Sequence, residues 1–406
     1  MAVKRSELGT ASIKQVYTQS IFSLSFDFLG IFAGIILTTA IIIINKKPWL
    51  LLVYPPILSI RGNVNGIFSS KLGTLLHIGF IEPKIIGNSE EYYRLILAII
   101  AISSLNFLGI GFFSFFICKF LLLITCVDLL DIILFLFLVG TIATLFSIFI
   151  TSFVAFITYR KALDPDLIVY PIMSTVNDII ITIIFMEIGQ IIGSPFYYNS
   201  KIFLTIVLAG FLVVLIYTVS KNIRYTDYRK TVIESTPILL ITILVGNITG
   251  SILAPIREYL NENLIILAIL PAINDTLGDE GSMIASTTTT NLALGYLEPR
   301  ISNIKLDIAR NRIFGVFLAG LSITALYGIV ASFFVKNITL KDVINSSITS
   351  TLANIIGFLL VVPLSFILAI ATFRRGWDPD NLTLPLLTTF TDLIGVSSVA
   401  LITYLL

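Results

Sequence analysis

Apolar runs of about twenty residues or more follow one another along almost the whole chain, separated by short polar segments. A bilayer's hydrocarbon core of ~30 Å is crossed by ~20 helical residues. On that measure the pattern predicts eleven helical spans, near 21–45, 49–80, 93–119, 122–158, 167–192, 202–220, 231–256, 263–297, 311–335, 344–373 and 381–406. The polar segment before Ile21 and the links between runs are too short for a separate soluble domain. That first segment carries Lys4, Arg5 and Lys14 and leads into a run too long for a signal-peptide core, with no small-residue cleavage site. It is therefore expected to be retained.

Laying the second predicted span on the eighth reveals an internal repeat. Pro55, Ile57, Gly62, Ser70, Thr74, Leu76, Gly79, Glu82 and Pro83 each meet the same residue 216 positions later, without a gap. "DPDLIVYPIMSTVND" (164–178) meets "DPDNLTLPLLTTFTD" (378–392) at an offset of 214, repeating Asp164, Pro165, Asp166, Pro171, Thr175 and Asp178. Two blocks in one order at nearly one offset mark a duplication. The expected organisation is a short segment 1–20, a five-helix repeat 21–192, a linker 193–230 with one span, and a second five-helix repeat 231–406. Five crossings alone would invert the second copy. The added crossing near 202–220 restores its direction, predicting parallel repeats about a pseudo-twofold axis along the membrane normal.

Composition agrees with the pattern. Of 406 residues, 56% are hydrophobic and 12% charged, and the mean hydropathy is +0.99, beyond what a soluble core absorbs. The fold class is all-α integral membrane. With the N-terminus cytoplasmic, 17 Lys and Arg fall in inner loops and 7 in outer ones. This predicts a multi-pass cell-membrane protein with its N-terminus cytoplasmic and its C-terminus external. The net charge of +2, with no basic patch interleaved with aromatics, gives no sign of a nucleic-acid partner.

The polar residues that interrupt the apolar runs carry the chemistry. Asp178 and Asp392 lie about 16 Å into their helices, near mid-membrane. An ionised carboxylate there costs ~2.5–3.5 kcal/mol on the insertion scale, so it should face a cavity or a cation. Ser174 and Thr388 precede them by a turn and Pro171 and Pro385 by two, on the same face. Residues 62, 66, 70 and 74, and 278, 282, 286 and 290, form small-residue stripes suited to close helix contact. Alongside them stand Pro55, Pro56, Gly62, Asn63, Asn65 and Gly66 in one copy, and Pro271, Asn274, Asp275, Gly278, Asp279 and Glu280 in the other. Breakers mixed with oxygen donors predict discontinuous helices that expose carbonyls.

The candidate metal ligands are thus Asp178, Asp392, Asn63, Asp279, Glu280, Asp275, Asn274, Ser174 and Thr388. All are hard oxygen donors, which suit magnesium, calcium or manganese rather than zinc or copper. Two repeat-related aspartates would supply the charge for one hydrated dication on the axis. The competing reading for Asp178 and Asp392 is a structural hydrogen bond to a neighbouring helix. Asp164, Asp166, Asp378 and Asp380 read as helix caps, and Glu82-Pro83 and Glu298-Pro299 as helix ends. Cys118 and Cys126 read as core residues, and His77, whose counterpart is Ala293, as a packing residue.

The "P…GN…" segment of the second helix, followed three helices later by "DP…P…D", resembles the MgtE magnesium transporter family. The fused double unit is similar to that family's eukaryotic solute-carrier relatives and archaeal counterparts. The resemblance implies a divalent-cation channel or transporter with a central pathway formed by the second and fifth helices of each repeat. Asp178 and Asp392 match the family's pore aspartate, and Asn63 and Asp279 its glycine-asparagine position. Two departures stand out. Gly-Asp-Glu at 278–280 makes the second copy more acidic, and the short segment before Ile21 leaves no room for the cytoplasmic magnesium-sensing domains of bacterial relatives.

The expected function is divalent cation transport, most directly of magnesium, with no catalytic residues and no cofactor. The partners are the metal ion and the lipid bilayer, with one duplicated chain expected to function by itself and further oligomerisation left open. Cation-coupled transport of a small organic solute is the alternative. An intramembrane metal-dependent enzyme lacks a nucleophile with a positioned base.

Overall fold

A computed structural model describes residues 12–77, 79–122, 128–161, 165–293, 295–300, 307–336, 338–376 and 379–405. A helix lies at each of the eleven predicted positions. The first is segmented into α1 (Ile13–Leu24), a 3-10 stretch (Ser25–Leu29), α2 (Gly30–Thr39) and α3 (Ile41–Lys46). Next come α4 (Trp49–His77), α5 (Glu90–Phe116), which ends in a π-helical turn, α6 (Leu129–Arg160), α7 (Pro165–Ile192) and α8 (Pro195–Asn222). They are followed by α9 (Thr226–Leu253), the short α10 (Arg257–Glu262), α11 (Leu264–Ala293), α12 (Asp307–Ser332), α13 (Leu340–Arg374) and α14 (Pro379–Leu405). Among the described residues, nine helical segments are long and apolar enough to cross a membrane. The long helices outside that set, α4 and α11, are those in which the sequence concentrates its prolines, amides and charges. The chain is a multi-pass, all-helical membrane protein.

One expectation is corrected. The second and eighth spans were expected to be discontinuous, yet α4 runs unbroken through Pro55 and Pro56, and α11 through Pro271. Pro56 removes the hydrogen bond to the Leu52 carbonyl. Gly250 of α9 packs onto that carbonyl so closely that a Cβ there would stand 1.8 Å from the oxygen. A close neighbouring backbone thus covers the freed carbonyl without the helix having to open. It is the first span that is irregular, at the 3-10 stretch holding Asp27.

The chain forms two compact units, Met1–Thr38 with Pro255–Leu406 (unit 1), and Thr39–Ala254 (unit 2). Within unit 2, α4 packs against α5, α6, α7 and α9. Edge-to-face contacts link Trp49 to Phe135, Phe135 to Phe185, and Phe185 to Tyr54. Within unit 1, α11 packs against α12, α13 and α14, and α1 lies along α12. Val16, Ile284, Val316, Phe358 and Phe366 share a buried apolar cluster there.

These units differ from the contiguous segments 21–192 and 231–406. Each takes its first helix from the other sequence repeat. In unit 1, Gly30 and Gly34 press on the backbone of Ala272 and Ala268; in unit 2, Gly246 and Gly250 press on Pro56 and Leu52. All four pairs of positions are related by 216 residues. Glycines four apart let helix backbones approach closely in a medium that gives no hydrophobic drive for association.

The duplication recurs in detail. Gly79 and Gly295, also 216 apart, both adopt left-handed φ, +76° and +75°, where α4 and α11 give way to loops. Only glycine does this without strain. Arg160 then donates to the Pro83 carbonyl, and its counterpart Arg374 to that of Pro299.

Candidate cation site

In unit 2 the polar residues of α4 and α7 meet one another. The guanidinium of Arg61 forms an ion pair with the Asp178 carboxylate, both side chains being buried at 9% and 4% exposure. One turn beyond Asp178, Thr182 donates to its backbone carbonyl at 2.6 Å, and the Thr182 hydroxyl also meets Tyr54 Oη at 3.0 Å. Asn63 is buried and donates to Thr242 Oγ1 of α9 at 2.7 Å. Asn65 accepts from Thr151 at 2.8 Å and from Ser147 at 3.3 Å, and Asn177 donates to Ser147 at 3.1 Å. Buried polar groups in a bilayer must find such partners.

Unit 1 is built differently at the same register. Asn274 faces α14 where Gly395 leaves room for it, and Gly278 meets Thr391 one turn on. Asp392, the residue after Thr391, is half-buried; Asp275 is half-buried too, but its carboxylate faces Gly30 of α2, and Asp279 is exposed. Thr388 donates to the Pro385 carbonyl at 3.1 Å. Glu280 is fully buried. Asn354 of α13 donates to its Oε2 at 2.9 Å, and Oε1 has no hydrogen-bond partner. Asn274 Oδ1 is likewise unpartnered.

Asp27, in the 3-10 stretch, is 4% exposed and accepts from Thr276 at 3.0 Å. Thr276 also contacts Tyr327 Oη, and both hydroxyls reach the Ala272 carbonyl. Asp275, Asp279 and Glu280 lie within electrostatic reach of Asp27. Among the described residues, no basic side chain lies within ion-pair distance of Asp27, Asp279 or Glu280.

The structure sets Asn274 against Gly395 of α14 and Asp275 against Gly30 of α2, with Asp275, Asp279 and Glu280 all within electrostatic reach of Asp27, while Thr388 and Asp392 lie on α14, which packs along α11. It places Asn63 against α9 and pairs Asp178 with a cation of the protein itself. The side chains of Ser174, Asp166, Asp380 and His77 lie outside the described residues, as do Asp164, Asp378 and Cys126. Sequence reasoning missed Asp27, Tyr327, Asn354 and the pairing of Arg61. A carboxylate inside the first apolar run was a visible signal for Asp27. The others became significant only through their neighbours in space.

Among the described residues, no three carboxylate, imidazole or thiol side chains converge as a closed metal cage. Scattered oxygen donors suit a dication that keeps part of its water shell, as magnesium does. A family model described as "Divalent cation transporter", MgtE, matches residues 54–188 and again 270–402. The chain belongs to the MgtE family. The double match independently shows the internal duplication; it runs from within α4 to within α7, and from within α11 to within α14. The family is one of transporters rather than enzymes, with a divalent metal ion as the substrate. No curated protein and no solved structure matches the chain.

Proposed function

We propose that this MgtE-family chain moves magnesium across the cell membrane, along polar faces of α11 and α14, with Asp392, Asp279, Asp275, Asn274 and Thr388 holding the hydrated ion. The main support is the excess of oxygen acceptors over donors in unit 1. Glu280 Oε1 and Asn274 Oδ1 have no hydrogen-bond partner, and among the described residues no basic side chain pairs with Asp27, Asp279 or Glu280. Such a set is costly until a cation arrives. Asp178, already held by Arg61, is outside it. The loop charges favour a cytoplasmic N-terminus. An inside-negative potential then drives uptake by ~2.3 kcal/mol per charge per 100 mV, and twice that for a dication.

Flux into proteoliposomes tests this reading. Asp392→Asn and Asp279→Asn should each lower magnesium uptake roughly tenfold or more, equivalent to ~1.4 kcal/mol or more, while eluting as folded protein. Wild-type flux in both variants would remove the assignment. Calcium, manganese and cobalt as competitors, with imposed proton and sodium gradients, measure selectivity and coupling.

A further inference from the structure

The two copies of the α4/α11 segment differ in charge at one register. Residues 57–66, "ILSIRGNVNG", contain one base and no acid; residues 273–282, "INDTLGDEGS", contain three acids and no base. Arg61 corresponds to Leu277, Asn63 to Asp279 and Val64 to Glu280. Asp178 and Asp392, by contrast, are alike in both copies. In unit 2 the Arg61 guanidinium lies on the Asp178 carboxylate, and both are buried. In unit 1, Leu277 packs against Gly357 and Gly395 and supplies no charge.

We propose that Arg61 is a tethered counter-ion that takes the place of a divalent cation at Asp178, so that ion binding and transport rest on the acids of unit 1 alone. A guanidinium presents several N–H donors in a fixed fork matched to a carboxylate, and it stays charged at any accessible pH. It therefore balances Asp178 continuously, and a dication approaching it meets a repelling charge instead of an open acid. The same ion pair ties α4 to α7. Duplication has thus divided two tasks: one copy keeps a charge-balanced crossing, and the other collects negative charge. The inference rests on the cation site proposed above and deepens it, naming the unit that carries it.

The test uses the full-length chain in nanodiscs and proteoliposomes, with Mn2+ as the paramagnetic probe for bound-ion count and magnesium for flux. The variant Arg61→Leu/Asp178→Asn removes the pair while keeping the crossing neutral. It should hold flux within about threefold of wild type and leave the Mn2+ count unchanged. Arg61→Leu alone uncovers the acid and should add one Mn2+ per chain. Asp392→Asn should retain no Mn2+ site that a further Asp178→Asn can remove. This last comparison leaves Arg61 in place, so it decides the matter even if the Arg61 variants fail to fold. The proposal is overturned if the folded double variant loses tenfold or more in flux, or if Asp392→Asn keeps a Mn2+ ion that disappears with Asp178. Unchanged flux in Asp392→Asn would instead overturn the unit 1 site itself.

Discussion

Gly320 illustrates how one residue conditions the polar interior of unit 1. A Cβ at this position would stand 1.7 Å from Glu280 Oε1 and 3.3 Å from Asn354 Nδ2. Gly320→Ala must therefore push the carboxylate away from the amide that holds it. The expected cost is ~1–3 kcal/mol of overpacking, read as a lower melting temperature in detergent; an unchanged melting curve would show that the carboxylate relocates freely. Asp128 makes a second prediction at this scale. It caps α6 by accepting from the Leu130 N–H at 3.1 Å and receives Lys201 at 2.6 Å. The Lys201 hydrogen bond holds its carboxyl below the ordinary value against a smaller opposing effect of burial, helped by the Leu130 N–H and by the charges of Lys201 and Lys47. A lowered native pKa gives stability that is fully present above the ordinary carboxylate range, about pH 3.9, and lost as pH falls through the native value. Asp128→Asn should therefore lower the melting temperature at pH 7 and flatten its fall on the acid side. Parallel curves for mutant and wild type below pH 5 would refute the linkage.

At the scale of elements, the helix crossings decide what the prolines and glycines mean. Pro55, Pro56 and Pro271 suggested broken helices from sequence, yet both helices run through them unbroken, and Gly30, Gly34, Gly246 and Gly250 bring a second backbone against each. Gly34→Leu and Gly250→Leu should each force that backbone away, since even a Cβ would lie 1.9 Å from Ala268 O or 1.8 Å from Leu52 O. Both should cost more than the ordinary overpacking of ~1–3 kcal/mol and reduce the yield of monodisperse protein. Gly210→Leu on α8, where a Cβ meets nothing within 4 Å, should be tolerated and serves as the control. If all three behave alike, the crossings do not carry the packing assigned to them. The "GIFAG" and "GNITG" segments at one offset were readable as a repeated close-packing motif. Their partners were not, because a glycine pair states that something approaches but not which helix does.

At the scale of the molecule, connectivity and compactness part ways. Unit 1 needs α1 and α2 as well as α10 to α14, and unit 2 needs α9 as well as α3 to α8. A chain divided between α8 and α9 should therefore give two fragments that are each unstable alone, since each lacks a helix that its own α4 or α11 packs against. Co-expression should restore a folded, transport-active complex. A lone fragment that elutes as a monodisperse, protease-resistant species would contradict the exchange of first helices.

Sequence alone determined the all-helical membrane class, the duplication and the membership of a divalent-cation transporter family. Each is written in local composition or in a fixed offset, and the bilayer leaves a long apolar segment little choice but helix. The tertiary structure decided which helix covers the carbonyl freed by Pro56, where Glu280 and Asp27 find their amide and hydroxyl neighbours, and that Asp178 is already matched by Arg61. Those outcomes depend on which faces meet. In a bilayer, close packing and interhelical hydrogen bonds select the partners, and neither is encoded in the period of the apolar residues.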